Sequence, residues 1–534
     1  MAAMPAARRN RVSIAIEIAL VVSYLASRLF HLTLLPIFAD ESLHISWAVK
    51  IATTGRLIGV TDAGKFLPIW LMSLFVRFAS DLLWTERLVS VGIGVLGLAG
   101  CYLLGRRLFG RPVGLIAAGL YLITPFMLFH DRMALVDGLL TTLAIYAAFF
   151  SFELARGGRV RHGIGLGLVL ALAISTKLNG AMLCLLPLLV VGASLFKRSG
   201  APPWKGLALA YAIAGLGFVP LMAESAFLVG FFSSLHWKRE FNKSITDRSS
   251  LLLWQAWLAN AGMALKYLTR YVTPGVFLAA GAGGVLAIVR RRRDEIVLLG
   301  MAGVLTGLFV LISNPERWYP RYLLPAVPFM LLIAARAIAV GASKLHACVS
   351  NRQTRGRAAA VAVGAVLVIG VPALWFDYWL LIDPVRAPLV EVDQFQYVNG
   401  RTAGYGLPEV ARFLRSKLTE SQNIFLGYDD SSSYWTGLRV YLFDQGDHFQ
   451  YAAIDFSQAD PDSMARQLSA AQQILVFVLL RPPFDEGLHM DFDTWPYSRH
   501  VAHFDKPDGR TGLDIYQLSA SFVPVQPASG LSNP

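Results

Sequence analysis

Asp40 and Glu41 stand side by side just past the first hydrophobic segment of an otherwise apolar chain. A carboxylate at a membrane surface, at the mouth of a helix bundle, is costly and seldom idle. In FADESLHISWAVKIA, Asp40 is also placed to cap a helix, with Glu41 in its first turn and favourable to the helix dipole. A cap can still do chemistry. Further along come Lys65 in GKFLP, Arg132 and Asp137 in HDRMALVD, and Lys177 in STKLNG. The turn SNPERWYPRYLLPAVPF adds Arg317, Tyr319, Arg321 and Tyr322, with Pro315 and Pro320 shaping the backbone.

By a count of hydrophobic segments, all of these fall on one side of the membrane. Lys65 opens an apolar segment, where an ammonium can grip a phosphate. Arg takes phosphate oxygens bidentately, and Tyr can lie over a sugar or headgroup. Each residue also has a plain structural reading. Arg132 and Asp137 lie about 140° apart on an ideal helix, so they straddle a loop–helix junction and can staple two helix ends. Asp131 reads as structural. Lys177 can snorkel from a span end, and interfacial Arg can be an anchor. Together, acids and cations on one face fit an enzyme that holds an anionic lipid and acts on a hydroxyl.

The elements that must position these residues are membrane spans. Of 534 residues, 55% are hydrophobic and only 16% charged, against roughly a quarter charged in soluble domains. The mean hydropathy is +0.51. The net charge of +13 does not point to nucleic acid, because Arg and Lys cluster in short loops between apolar runs, as topology control requires. Cys101, Cys184 and Cys348 have no metal-ligand spacing and form no disulfide framework. Arg8-Arg9-Asn10-Arg11 precedes an uncleaved first helix rather than a signal peptide.

Spans of suitable length fall near 12–31, 88–105, 112–129, 135–154, 163–179, 180–196, 206–230, 272–289, 295–313, 320–341 and 358–381, about eleven in all. Loops bearing Arg106-Arg107 with Arg111, Arg156, Lys197-Arg198, Arg290 to Arg293 and Arg352 belong in the cytoplasm. The candidate residues then face outward. Lys238, Arg239, Lys243, Arg248, Lys266 and Arg270 break the rule, as solvated charges or as recruits for an anionic ligand. Residues 66–79 read as an interfacial helix, and Trp254, Trp257 and Tyr267 suit the headgroup level.

Residues 1–382 thus form a transmembrane module and 383–520 a soluble α/β domain on the extracytoplasmic side. In that domain a helix runs from Pro408 to Leu418, another lies near 460–470, and NIFLGY, RVYLF, QILVFVLL and GLDIYQL read as strands. Residues 521–534, rich in Pro, Ser and Gly, read as a disordered tail.

The order of motifs resembles the membrane glycosyltransferases of the GT-C fold, nearest the protein O-mannosyltransferase and lipid A aminoarabinose transferase group. The resemblance covers roughly 12–340. It rests on the Asp40-Glu41 pair, the Lys65 segment, Glu86-Arg87-Leu88, the Arg132–Asp137 turn, Thr176-Lys177 and Arg321-Tyr322 with its following prolines. It implies a polyprenyl-phosphate-linked sugar as donor and a lipid, polysaccharide or protein acceptor. Asp40, with Glu41 beside it, matches a catalytic acid that deprotonates the acceptor hydroxyl as it attacks the anomeric carbon with inversion. Asp137 matches a second essential acid. Lys65, Arg132, Lys177, Arg317 and Arg321 are expected around the donor phosphate, and Tyr319 and Tyr322 facing acceptor or sugar. Where this family often has two prolines after the lysine, Phe66-Leu67 precede Pro68.

Phosphate leaves without a general acid, and cations stabilise the charge that builds on it. Asp40, Glu41 and Asp137 also leave a divalent metal open. The expected location is a bacterial cytoplasmic membrane, with the site outside and membrane lipids around the bundle. The rivals are a ligase moving a whole glycan from a lipid pyrophosphate, and a lipid-sugar flippase. Transport fits less well, because the charges sit at span ends and no internal repeat is evident.

Overall fold

A computed structural model describes residues 6–61, 64–195, 203–223, 250–312, 318–349, 355–418, 423–428, 434–453, 474–480, 492–494 and 498–519. The chain divides into two compact units. One comprises Met1–Leu34, Trp47–Arg77 and Trp84–Val390; the other comprises Leu35–Ser46, Phe78–Leu83 and Glu391–Pro534.

The first unit is helical. Among the described residues six helices are long and apolar enough to cross a membrane, or eight if each of two bent pairs is one span. Each expected span overlaps helix within the described residues, residues 224–230 of the span expected at 206–230 lying outside them, and Val160–Thr176 and Leu178–Ser194 are shorter than those six helices. The span expected at 112–129 is broken. Arg111–Ile123 and Pro125–Asp131 meet at 65°, because Pro125 has no amide proton to continue the helical ladder. Trp254–Tyr271 likewise bends by 116° into Pro274–Val289. The amphipathic 66–79 stretch forms a helix, Phe66–Ser73, followed by a short turn at Val76–Phe78.

Close packing sets where Lys177 falls. Val160–Thr176 lies against Trp204–Gly215 through Gly163 and Gly167. A Cβ there would come within 2.4 Å of Gly206 O and 2.7 Å of Ile213 Cβ. Small residues four apart let two helix backbones approach closely in lipid, where burial supplies little drive. Arginines assigned to cytoplasmic loops meet carboxylates: Arg111 pairs with Glu17 at 2.9 Å and Arg156 with Asp294 at 3.0 Å. Lys238, Arg239, Lys243 and Arg248 lie outside the described residues, whereas Lys266 and Arg270 belong to Ser250–Tyr271. Arg270 Nε donates to Pro388 O at 2.7 Å.

The second unit carries a five-stranded sheet: β1 Asn423–Tyr428, β2 Phe449–Ala453, β3 Ile474–Leu480, β4 Ser498–Asp505 and β5 Gly512–Leu518. The order is β2-β1-β3-β5-β4. β1 is parallel to β2 and β3, and β5 is antiparallel to β3 and β4. NIFLGY, QILVFVLL and GLDIYQL supply strands as expected, and the predicted helix runs Leu407–Lys417. RVYLF does not. It sits in and after a helix, Tyr434–Tyr441, whose buried Thr436, Leu438 and Val440 override the β-propensity of a short apolar run. FQYAA and SRHVAHFD, not foreseen, form the two edge strands. The helix expected near 460–470 and the tail at 521–534 lie outside the described residues.

Candidate active site

Asp40 and Glu41 open the helix Ala39–Thr54. The cap differs from the sequence reading: Asp40 is the second helical residue, and Glu41 Oε2 accepts from the Phe38 backbone N–H at 3.0 Å. That is half of a capping box, with the acid three residues inside the helix reaching back. Glu41 is fully buried and Asp40 half-buried. Several contacts within the second unit hold this turn. Ala39 N donates to Thr402 O at 3.1 Å and Ile37 N to the Tyr441 hydroxyl at 3.0 Å. The Ser42 and Thr436 hydroxyls are 2.5 Å apart. Lys506, buried, donates to Gly400 O at 2.6 Å and Ala403 O at 3.1 Å, fixing the loop that bears Thr402. Burial pushes its ammonium down to about 8.

In the first unit, five of the predicted residues come together. Asp137 begins the helix Val136–Gly157, and its Oδ1 accepts from Lys177 Nζ at 3.1 Å. Lys177 follows Val160–Thr176 in extended conformation, and its Nζ lies 4.8 Å from the centre of the Tyr322 ring. Arg321 lies over Tyr319 at 5.0 Å and over Tyr322 at 5.9 Å. Tyr322 is stacked on Phe309 with ring centres 5.5 Å apart. Pro320–Ala326 is a 3₁₀ turn. Its prolines withhold amide donors, so the α-helix resumes only at Val327, and this turn sets Arg321 and Tyr322 in place. One carboxylate, two cations and two aromatic faces thus share one locality. Such a group can bind an anion and a sugar ring.

Arg132 does not pair with Asp137. Its Nη2 donates to Phe30 O at 2.8 Å and His31 O at 2.7 Å. The helix starts only at Val136, so the two side chains leave the turn separately. Arg132 Nη1 is buried and without a hydrogen-bond partner among the described residues. Lys65 precedes Phe66–Ser73, its ammonium 5.6 Å from the centre of the Trp47 ring. Arg317 lies outside the described residues.

Asp131 is structural, as its sequence context indicated. Its Oδ2 accepts from the Tyr24 hydroxyl at 2.9 Å and its Oδ1 from the Tyr121 hydroxyl at 3.3 Å, while Arg28 Nε stands 3.7 Å from Oδ2. The sequence reading passed over His130. It is buried between Phe126 and Phe129, within electrostatic reach of Asp137 and Arg321. Neither ring nitrogen has a hydrogen-bond partner among the described residues. Its place in the HDRMALVD turn was the available signal. Glu86 is also buried, with both carboxyl oxygens unpartnered among the described residues.

Comparison with known proteins supplies the class. The model of the dolichyl-phosphate-mannose-protein mannosyltransferases matches residues 65–222, a stretch that includes Lys65, Asp137 and Lys177. No curated protein matches the chain. Among solved structures, ArnT from Cupriavidus metallidurans in the apo state superposes with a TM-score of 0.59 at 17% identity, covering 98% of this chain and 100% of that one. The same protein bound to undecaprenyl phosphate gives 0.58 at 15% identity over equal coverage. The oligosaccharyltransferase AglB from Archaeoglobus fulgidus, in complex with an inhibitory peptide and a dolichol-phosphate, gives 0.55 at 13%, covering 97% of this chain and 75% of that one. The chain is a multi-pass membrane protein with the GT-C fold, a helical bundle joined to a small α/β region. In fold it resembles ArnT, and over residues 65–222 it matches the mannosyltransferase family model.

Proposed function

We propose that this protein is an inverting glycosyltransferase that moves a single sugar from a polyprenyl-phosphate donor to an acceptor hydroxyl. The proposed setting is the outer face of a bacterial cytoplasmic membrane. The observation that carries the proposal is the grouping of Asp137, Lys177, Arg321 and Tyr322 on a chain whose fold matches, over 98% of its length, a protein solved with undecaprenyl phosphate.

In this proposal the Asp40 carboxylate takes the proton of the acceptor hydroxyl as its oxygen attacks the anomeric carbon. The bond from that carbon to the phosphate oxygen breaks, and the electron pair leaves with the polyprenyl phosphate. Glu41 holds the helix turn that presents Asp40. Lys177, Arg321, Lys65, Arg132 and Arg317 stabilise the charge developing on phosphate, an effect that grows towards the transition state. Asp137 fixes the Lys177 ammonium. Tyr319 and Tyr322 give flat faces for a sugar ring. Residues 383–520 form the extracytoplasmic domain in this scheme.

The test is transfer from a polyprenyl-phosphate sugar in membranes carrying Asp40→Asn. Loss of a positioned general base costs roughly 10²–10⁴-fold, so transfer falls by that order. Undiminished transfer removes Asp40 from the mechanism. The likeness to AglB favours a second reading, transfer of a whole glycan from a lipid pyrophosphate. Consumption of a lipid monophosphate sugar decides between the two.

A further inference from the structure

The edge of the sheet in the second unit carries a group with different chemistry. β4 and β5 pair with His500 opposite Tyr516, Ala502 opposite Ile515 and His503 opposite Asp514. The irregularity between His500 and Ala502 inserts one extra residue, Val501. In a regular strand, residues three apart point to opposite faces; a bulge restores them to one face. His500 and His503 therefore share a face with Asp514, and Asp505 follows two residues after His503.

The contacts are specific. His503 Nδ1 is 2.7 Å from Asp514 Oδ1, and His500 Nε2 is 3.0 Å from the same oxygen. His503 Nε2 faces Asp505 Oδ1 at 3.0 Å. One donor atom from each of His500, His503 and Asp514 lies within 4.8 Å of the other two. The His500 ring is held edge-on to Tyr516, with centres 5.0 Å apart. Gly512 leaves room for the other ring: a Cβ there would come within 2.5 Å of His503 Cε1. All three side chains are a third or more exposed, so an ion has a path in.

We propose that this edge binds one divalent transition-metal ion of the zinc class through His500 Nε2, His503 Nδ1 and the Asp514 carboxylate, with Asp505 orienting His503. The division of labour follows from the two nitrogens of His503. Asp505 takes the Nε2–H, so that once the proton between Nδ1 and Asp514 is displaced the Nδ1 lone pair is left for the ion. That is the carboxylate–histidine–metal arrangement. Zinc takes imidazole and carboxylate donors at about 2.0–2.2 Å in tetrahedral array, with water as fourth ligand where three come from protein. Such donors stand roughly 3.3 Å apart, so the present 2.7 Å and 3.0 Å separations open by a few tenths of an ångström on binding. The ion displaces the protons now shared with Asp514. It clamps β4 to its neighbour β5 in the sheet order.

The test uses the full-length protein, purified on a tag free of histidine, stripped with chelator and titrated with zinc chloride against a chromophoric chelator. One ion per chain is expected. His503→Ala lowers the affinity at least ~100-fold. The nearly isosteric Asp505→Asn, which keeps the fold, lowers it roughly 10–100-fold, the range for an outer-shell partner. A wild-type protein that binds no zinc, or one whose affinity is unchanged in both variants, overturns the proposal.

Discussion

Asp131 and Asp137 leave the same turn six residues apart, both buried and both beside a cation, yet their surroundings differ in kind. Both oxygens of Asp131 accept tyrosine hydroxyls, and Arg28 closes the group with Nη1 donating to Leu122 O at 2.7 Å. That network ties the first helix to the broken span. Asp137 instead meets the Lys177 ammonium, which lies over the Tyr322 ring, next to a second cation, Arg321, over that ring and Tyr319. A buried acid enclosed by fixed hydroxyls locks helices. A buried acid that steers a lysine towards an aromatic face is, in the proposed scheme, the one that meets a ligand.

The contrast can be broken by substitution. Asp131→Ala leaves the Arg28 guanidinium buried and uncompensated, which costs about 3–5 kcal/mol. The melting temperature in detergent should fall sharply, while turnover per folded molecule stays within a few-fold. Asp137→Asn should do the reverse. Turnover drops roughly 10²–10³-fold, the scale for losing a preorganised electrostatic element, with the melting temperature nearly unchanged. If both variants merely unfold the protein, the distinction between the two acids fails.

A third buried charge, Lys506, sharpens the comparison from the second unit. Its folded value of about 8 lies below the ordinary lysine value of 10.5. Between those two pH values the unfolded chain holds a proton that the folded chain has lost, so stability rises with pH across that window. From pH 8 to pH 10 the gain attributable to Lys506 should be about 2 kcal/mol, read as a rise in melting temperature relative to Lys506→Met. A variant with the same pH profile as wild type would contradict this. The smallest effect is expected at Tyr322→Leu. Loss of a partly exposed cation–π face, about 0.5–1 kcal/mol, should raise the KM for donor a few-fold and leave kcat alone.

Much of this was legible in the chain itself, for physical reasons. Long apolar runs punctuated by arginine can hardly be anything but membrane helices, and a carboxylate in such surroundings stands out. Asp137, Lys177, Arg321 and Tyr322 could each be singled out by type and place. Their mutual contacts could not, because they come from three segments brought together only by packing. The supposed Arg132–Asp137 staple failed for a local reason: the helix begins after the turn, so sequence proximity did not become side-chain proximity. RVYLF misled because short apolar runs do not distinguish strand from helix. The metal-binding edge was hidden because two histidines three apart look unrelated until a bulge turns them to one face.

The most direct test is the release of free polyprenyl phosphate from polyprenyl-phosphate sugars in a total extract of the source membranes, which supplies the acceptor hydroxyls as well, by equal folded amounts of wild-type, Asp131→Asn and Asp137→Asn protein. Wild-type and Asp131→Asn proteins are predicted to release it at comparable rates, and Asp137→Asn at no more than about a hundredth of that rate. No release by the wild-type protein, or equal release by Asp137→Asn, would contradict the assignment of this chain as a lipid-phosphate-dependent sugar transferase centred on Asp137 and Lys177.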